Sequence, residues 1–118
     1  MIERIISHRL ADIVEAVERI RQVLEGAPLE AFEQDWQKRW LVERGIEVIS
    51  EASRHLTGEM KSRRAEIPWS RVAGIGNVLR HAYDRVAPEV LWRLAQDDLP
   101  ALERVCREEL DEEERRGR

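Results

Sequence analysis

Apolar residues recur at intervals of three and four along most of this chain, which is the spacing of one face of an α-helix. The first such run predicts a helix over residues 3–25, which Gly26 and Pro28 end. The second predicts a long helix over residues 29–56, in which Gly45 indicates a bend or a close helix crossing. No segment alternates apolar and polar residues over the length of a β-strand.

Shorter helical segments complete the chain. They are a connector with one helical turn at 57–64, a helix that Pro68 begins and that ends near 83–86, a short helix from Pro88, and a last helix over about 99–110. The sequence therefore predicts an all-α fold, an antiparallel bundle of about five helices joined by short loops. We expect residues 1–110 to form a single domain and residues 111–118, which are nearly all charged, to form a frayed tail.

Three large aromatic residues, Phe32, Trp36 and Trp40, follow one another at four-residue intervals in the second predicted helix. They are more aromatic surface than one small bundle needs at one end. Two interpretations remain open: an ordinary core, or a seam against a second copy of the chain. The second interpretation favours a homodimer.

Composition limits the class of protein. The chain has 118 residues and a formal net charge of −4, so no overall positive field attracts nucleic acid, although a basic patch can exist locally. A single cysteine, Cys106, excludes a disulfide framework and fits the reducing cytoplasm. No apolar run reaches the length of a membrane span, and the start of the chain lacks the apolar core of a signal peptide.

The helix that Pro68 begins carries a polar arc beside its apolar stripe, formed by Asn77, Arg80, His81 and Asp84. Cleaving RNA without a metal needs a base for the 2′-hydroxyl, an acid for the 5′-oxygen and positive charge on the phosphate. Histidine titrates near neutral pH and can serve the first two roles, while arginine can serve the third. On spacing alone, however, a single histidine on a polar helix face is more often only solvated.

Glu47, Glu51 and His55 form a second polar row, one turn apart on the second predicted helix. Di-iron bundles use a Glu-x-x-His spacing, which occurs nowhere in this chain. We therefore interpret the row as a polar face held by Glu51–His55 and Arg44–Glu47 pairs, and we predict no metal and no other cofactor.

A broader set of residues surrounds the polar arc, namely Trp69, Gly74, Asn77, Leu79, His81, Tyr83, Trp92, Leu99 and Pro100. Together they resemble the signature of the HepT-like ribonuclease toxins, a family of the HEPN superfamily, and the resemblance extends over about residues 4–110. The family motif is an arginine, four residues, a histidine, one residue and a tyrosine. Here the histidine is His81 and the tyrosine is Tyr83, but Gly76 occupies the position of the arginine.

The resemblance implies a HEPN-like bundle, a homodimer, and a metal-independent endoribonuclease that is the toxin of a toxin–antitoxin pair. It implies that His81 is catalytic and that an MntA-type nucleotidyltransferase antitoxin silences the toxin by attaching nucleotide groups to Tyr83. Such a group would bring bulk and negative charge to the place of an RNA phosphate. The family's acidic residue in the stretch that matches residues 50–52 lies near the active cleft, which makes Glu51 a further site candidate.

Gly76 leaves two interpretations open. In the first, Arg80 reaches back over the bare backbone of Gly76 and replaces the motif arginine. Asn77, one turn before His81, is a candidate hydrogen-bonding partner of the histidine. In the second, Arg80 only pairs with Asp84 on a solvated face. The fold then serves as a regulatory partner of a nucleotidyltransferase that binds nucleotide or protein without cutting RNA.

Overall fold

A computed structural model describes residues 2–117, and of residues 2–4 and Tyr83 it describes the backbone alone. Within this range the chain forms seven α-helices and one 3-10 helix, without a β-strand, which confirms the all-α prediction. The elements are α1 Ile2–Leu24, α2 Leu29–Glu33, α3 Trp36–Arg54, α4 Gly58–Arg63, α5 Trp69–Ala82, a 3-10 helix Tyr83–Arg85, α6 Pro88–Asp97 and α7 Leu99–Arg116. None of the described helices is long and apolar enough to cross a lipid bilayer.

The long second helix of the prediction is wrong, because two helices stand in its place. α2 ends at Glu33, and α3 begins anew after Asp35, whose backbone is extended. The Asp35 carboxylate accepts hydrogen bonds from the backbone N–H groups of Gln37 and Lys38, both at 3.1 Å. Because an aspartate in this position satisfies donors that a helix start leaves free, the chain can turn here and begin a new helix.

The core lies between α1, α3, α5 and α7. α3 packs against both α1 and α5, while α7 packs against α1. The apolar side chains with no exposed surface are Leu10, Ile13, Phe32, Val42, Leu91, Val105 and Cys106. Burying a large apolar side chain completely contributes about 1.5–3 kcal/mol, so these residues, together with the buried Leu79 of α5, hold the helices together.

Gly45 marks a close crossing of α1 and α3, one of the two predicted meanings of this glycine. A Cβ atom built on Gly45 would lie 2.8 Å from both Cγ1 and Cδ1 of Ile20. A larger residue would therefore push the two helices apart, and the glycine sets how closely α3 approaches α1.

α7 continues to Arg116, beyond the predicted end of the last helix near residue 110, and the fraying of residues 111–118 remains a prediction. Arg115 pairs with Glu112 at 3.7 Å, and Arg116 pairs with Glu113 at 3.2 Å, each across one helical turn. Such pairs support a helix that has few apolar contacts. The division into a domain over residues 1–110 and a separate tail remains a prediction.

The aromatic row divides at the helix break. Phe32 on α2 is completely buried, but Trp36 and Trp40 at the start of α3 are 60% and 64% exposed. Their rings meet edge to face, with centroids 4.9 Å apart. The interpretation of all three as core is therefore wrong for the two tryptophans, and contact with a second copy remains a prediction.

Candidate active site

The end of α5 carries the polar residues that the sequence points to. Leu79 is buried in the core, whereas Asn77, Arg80 and His81 are exposed. Asn77 and His81 lie one turn apart on the same face, and Arg80 lies about 100° around the helix from His81. The structure thus brings the three side chains to one accessible helix end.

Gly76 faces a different direction, into the contact between α5 and α3. A Cβ atom on Gly76 would lie 2.3 Å from Oγ and 2.4 Å from Cβ of Ser50. Ser50 Oγ donates a hydrogen bond to the carbonyl of Ala73 at 2.6 Å, and Arg54 Nη2 donates to the same carbonyl at 2.9 Å. Ser50 therefore fills the space beside Gly76, which corrects the expectation that the glycine leaves room for Arg80.

Arg80 lines a groove that crosses the exposed face of α3 between α1 and α5. The groove has a volume of about 260 Å³ and is lined by Arg9, Asp12, Arg44, Glu47, Val48, Glu51 and Arg80. Its three arginines come from three different helices. Glu51 lies in the same groove as Arg80, while His81 lies outside the groove wall, next to Arg80 in the chain.

Most arginines of the described chain hold a carboxylate or carbonyl oxygen. Among those whose side chains the structure describes, all but Arg9, Arg80 and Arg85 make an ion pair or a hydrogen bond. Arg9 and Arg80 line the groove, and Arg85 ends the 3-10 helix that follows α5. No ion pair within this part of the chain joins Arg80 to Asp84, so the second interpretation of Arg80 finds no support. Free guanidinium groups, which suit phosphate oxygens, are concentrated here.

The polar row on α3 makes the pairs that its spacing predicts. His55 Nε2 donates a hydrogen bond to Glu51 Oε1 at 3.2 Å, and Arg44 pairs with Glu47 at 3.7 Å. The bond from His55 lowers the pKa of the Glu51 carboxyl; loss of hydration opposes this, and nearby positive charges, including that of Arg80, lower the pKa further. Glu51 is therefore ionised at neutral pH. The described side chains include no group of three His, Cys, Asp or Glu residues arranged to hold a metal ion.

Tyr83 begins the 3-10 helix, but its side chain lies outside the described part of the structure. Its exposure therefore remains a prediction. The backbone just beyond it is fixed by Arg39, whose Nη2 donates a hydrogen bond to the carbonyl of Val86 at 2.8 Å. This bond holds the first turn of α3 beside the segment that joins the 3-10 helix to α6.

Helical periodicity does not reveal the part that Arg9 and Arg44 play in the groove. Both lie on polar helix faces, where a charged residue is normally solvated. Their approach to Arg80 depends on how α1, α3 and α5 pack, which a one-dimensional pattern does not specify. The sequence offers one weak signal, which is that each arginine lies on a helix predicted to be a neighbour of the next.

Comparison with known proteins also indicates a ribonuclease. A family described as "Ribonuclease HepT-like" matches residues 13–109. A protein of Thermococcus cleftensis, named "Probable ribonuclease HepT", is 37% identical over 98 residues, which cover 81% of this chain and 89% of that protein. A protein of Methanocaldococcus jannaschii whose name classes it as an RNase is 26% identical over 104 residues, with 88% of this chain and 95% of that protein covered. No solved structure was found to match the chain.

Proposed function

Because the chain belongs to the HepT-like ribonuclease family, we propose that it is an endoribonuclease that cuts RNA without a metal ion. The observation that carries the proposal is the exposed end of α5, where Asn77 and His81 share one face and the free cation of Arg80 lies beside them. Base, acid and positive charge are thus available within little more than one helical turn.

In the proposed reaction, the neutral imidazole of His81 takes the proton from a ribose 2′-hydroxyl. The 2′-oxygen attacks the adjacent phosphorus, and the bond between phosphorus and the 5′-oxygen breaks. The protonated imidazole gives its proton to the leaving 5′-oxygen. The products are a 2′,3′-cyclic phosphate and a 5′-hydroxyl, and Asn77 orients the ring from one turn before.

Arg80 supplies the charge that the reacting phosphate needs in this proposal. As the phosphorus becomes five-coordinate, negative charge develops on its non-bridging oxygens, and a guanidinium group can bind two of them at once. Position 76 cannot supply this charge, because it is a glycine. Ser50 fills the space where a side chain at position 76 would begin. Arg80 is exposed and holds no carboxylate within the described residues, so it is free to bind phosphate.

A direct assay tests the activity. Purified protein is incubated with total RNA in excess EDTA, alongside the His81→Ala variant prepared in the same way. We expect the parent to degrade RNA and the variant to lose this activity. An inert parent, or a variant that is equally active, would contradict the proposal.

The family resemblance supports a toxin–antitoxin role in the cytoplasm, in which a neighbouring nucleotidyltransferase modifies Tyr83. A nucleotide on Tyr83, two residues after His81, would put negative charge where the RNA phosphate binds. Mass spectrometry after co-expression with the cognate nucleotidyltransferase tests this. Nucleotide adducts found only on other residues would count against it.

A homodimer completes the proposal. Val78 on α5 is 41% exposed next to Asn77, and Ile5 on α1 is 52% exposed, so both helices leave apolar surface uncovered in a single chain. A second copy that covers this surface would bring the two His81 helices toward each other and form a cleft between them. Light scattering that shows a monomer at micromolar concentration would exclude this arrangement.

One observation favours a second function. Gly76 stands where the family motif has an arginine, and Ser50 occupies the space that an arginine side chain at this position would need. If Arg80 does not replace it, the chain is a regulatory partner that binds nucleotide or protein without cutting RNA. A protein that is inert in the RNA assay but binds the product of a nucleotidyltransferase would establish this function.

A further inference from the structure

The start of α3 exposes an aromatic pair that the proposed reaction does not use. Trp36 and Trp40 are each more than half exposed, while the other two tryptophans are partly buried and bonded. The indole N–H groups of Trp69 and Trp92 donate to the carbonyls of Arg64 and Ala27, respectively. No such hydrogen bond is found for Trp36 and Trp40 among the described residues; their rings pack edge to face against each other, and the rest of their apolar surface is exposed to a ligand.

The tryptophan pair lies on the same face of α3 as the groove. At 3.6 residues per turn, Trp36, Trp40, Arg44, Glu47 and Glu51 all fall within an arc of about 100°. The last three of these residues line the groove. Because Trp40 precedes Arg44 by about 6 Å along the helix axis, the aromatic pair extends the groove floor by two turns.

Two arginines without a carboxylate partner among the described residues lie on the two sides of this face of α3. Arg9 on α1 and Arg80 on α5 line the groove, and neither holds a carboxylate within the described residues. The carboxylates of the floor are engaged, since Glu47 pairs with Arg44 and Glu51 accepts a bond from His55. Asp12 on the α1 side also lines the groove, where its carboxylate can accept hydrogen bonds from the amino groups of bases.

We propose that Trp36, Trp40 and the groove form a track for single-stranded RNA. Bases stack on the two indole rings, and phosphates bind Arg9 and Arg80. Proteins that bind single strands combine cationic grooves with aromatic side chains in this way, and a duplex does not offer its base faces for stacking. The inference rests on the proposed function, because it names the substrate class that reaches His81.

A second copy of the chain is the competing occupant of this surface. The centre of a subunit interface is depleted of charged residues. Here Arg44 and two carboxylates follow the tryptophans directly on one helix face, with free arginines on the neighbouring helices. The mixture of aromatic and cationic groups therefore fits nucleic acid better than a second protein surface.

The test measures binding separately from cleavage. In a His81→Ala background, a labelled single-stranded oligonucleotide and its duplex form are titrated by fluorescence anisotropy. We expect the single strand to bind more tightly, and Trp36→Ala or Trp40→Ala to weaken its binding by about tenfold each. Trp40→Phe should keep most of the affinity, whereas Trp40→Leu should lose it, because only an aromatic ring can stack.

Two further variants sharpen this test. Arg9→Gln should weaken binding and lower the slope of log affinity against log salt by about 0.7, the change expected for one lost phosphate contact on a single strand. Val90→Ala is the matched control, because Val90 is an apolar residue that is 48% exposed on α6, outside the groove and the tryptophan pair. Its affinity should match that of the background.

Each remaining outcome decides one question. Unchanged affinity in both tryptophan variants would overturn the track. A fall in affinity together with conversion of a dimer to monomers in light scattering would also overturn it, because the tryptophans would then be a subunit interface. Tryptophan-dependent binding by a parent that cuts no RNA would support the track and contradict the proposed cleavage alone.

Discussion

At the scale of single residues, burial separates the groups that hold this fold from those that are free to react. The only thiol, Cys106, is fully buried. Burial is the main cause that raises its pKa to about 12, and the nearby charge of Glu109 is the second cause. It is therefore a neutral packing group at physiological pH. Ser50 is buried too, and its hydroxyl is committed to the carbonyl of Ala73. His81 and Arg80 are exposed and remain available to a substrate.

Arg80 gives the first prediction at this scale. Arg80→Ala should lower the single-turnover rate of RNA cleavage by about a hundredfold, the usual loss for one donor to a transition-state anion. Folding should be almost unchanged, because the exposed guanidinium holds no partner within the described residues. Arg93→Ala is the control, since Arg93 is exposed on α6 and pairs only with Glu89. An Arg80→Ala protein that cleaves as fast as the parent would exclude the role of Arg80.

The two glycines of α5 give the second prediction. A Cβ atom on Gly74 meets nothing within 4 Å, so Gly74→Ala should raise the free energy of unfolding by about 0.5–1 kcal/mol through helix propensity. Gly76→Ala should instead lower it by about 1–3 kcal/mol, because its Cβ would collide with Ser50. Urea denaturation measures both changes.

A second substitution tests whether the collision with Ser50 causes the effect of Gly76→Ala. Ser50→Gly removes the atoms that collide, so Gly76→Ala should cost less stability in a Ser50→Gly background than in the parent. Equal effects of alanine at positions 74 and 76 would show that the packing of Gly76 against α3 does not limit this site.

At the scale of the helices, apolar periodicity predicts the elements that bury one continuous stripe. α1 and α5 begin and end within a few residues of the predicted bounds. The helix break at residues 34–35 escapes the same pattern, because apolar spacing continues through it and only the Asp35 side chain marks the new start. The exposure of Trp36 and Trp40 follows from that break, since it turns α3 independently of the buried Phe32.

The cap of α3 can be tested by its chemistry. Asp35→Ala should lower the free energy of unfolding by about 0.5–2 kcal/mol, because the N–H groups of Gln37 and Lys38 lose their acceptor. Asp35→Asn keeps an oxygen acceptor and should be close to the parent. Chemical denaturation distinguishes the two results, and equal stability of the alanine and parent proteins would show that the cap is not needed.

At the scale of the whole molecule, ion pairs attach α7 to the rest of the bundle. Glu103 on α7 is buried and contacts Arg21 on α1 and Arg107 on its own helix, and Arg107 also contacts Glu18 on α1. Burial alone would raise the pKa of the Glu103 carboxyl, but the hydrogen bonds from the two arginines outweigh it and lower the pKa below its usual 4.5.

This network predicts how stability depends on pH. A carboxyl whose pKa is lower in the folded state stabilises the fold fully above about 4.5, and this stabilisation is lost as the pH falls through the lower, folded-state value. Glu103→Gln should therefore lower the free energy of unfolding by about 1–3 kcal/mol at neutral pH and reduce the difference between neutral and acidic pH. Glu114→Gln, at an exposed position of the same helix, is the control.

The prediction would be contradicted if the free energy of unfolding of Glu103→Gln followed that of the parent in parallel as the pH changes. If the free energies of unfolding of Glu103→Gln and the parent differ by the same amount from neutral pH down to below pH 4, then protonation of Glu103 does not weaken the attachment of α7.

Assembly of the groove is also a property of the whole molecule. The polar end of α5 can be identified from the sequence, because Asn77, Arg80 and His81 lie within five residues of one helix. Arg9 lies far from them in the chain and reaches the groove only because α1 packs against α3. Such contacts between distant segments depend on the fit of side chains in three dimensions, as at Gly45 and Ile20.

The most direct test of RNA cleavage by His81 is the chemistry of the new RNA ends. An RNA of defined sequence is cut by the parent and by His81→Ala in excess EDTA, and the fragments are weighed by mass spectrometry. Attack by the 2′-hydroxyl predicts 2′,3′-cyclic phosphate and 5′-hydroxyl ends from the parent, and no cleavage by the variant. Fragments with 3′-hydroxyl and 5′-phosphate ends, or equal cleavage by His81→Ala, would contradict the account.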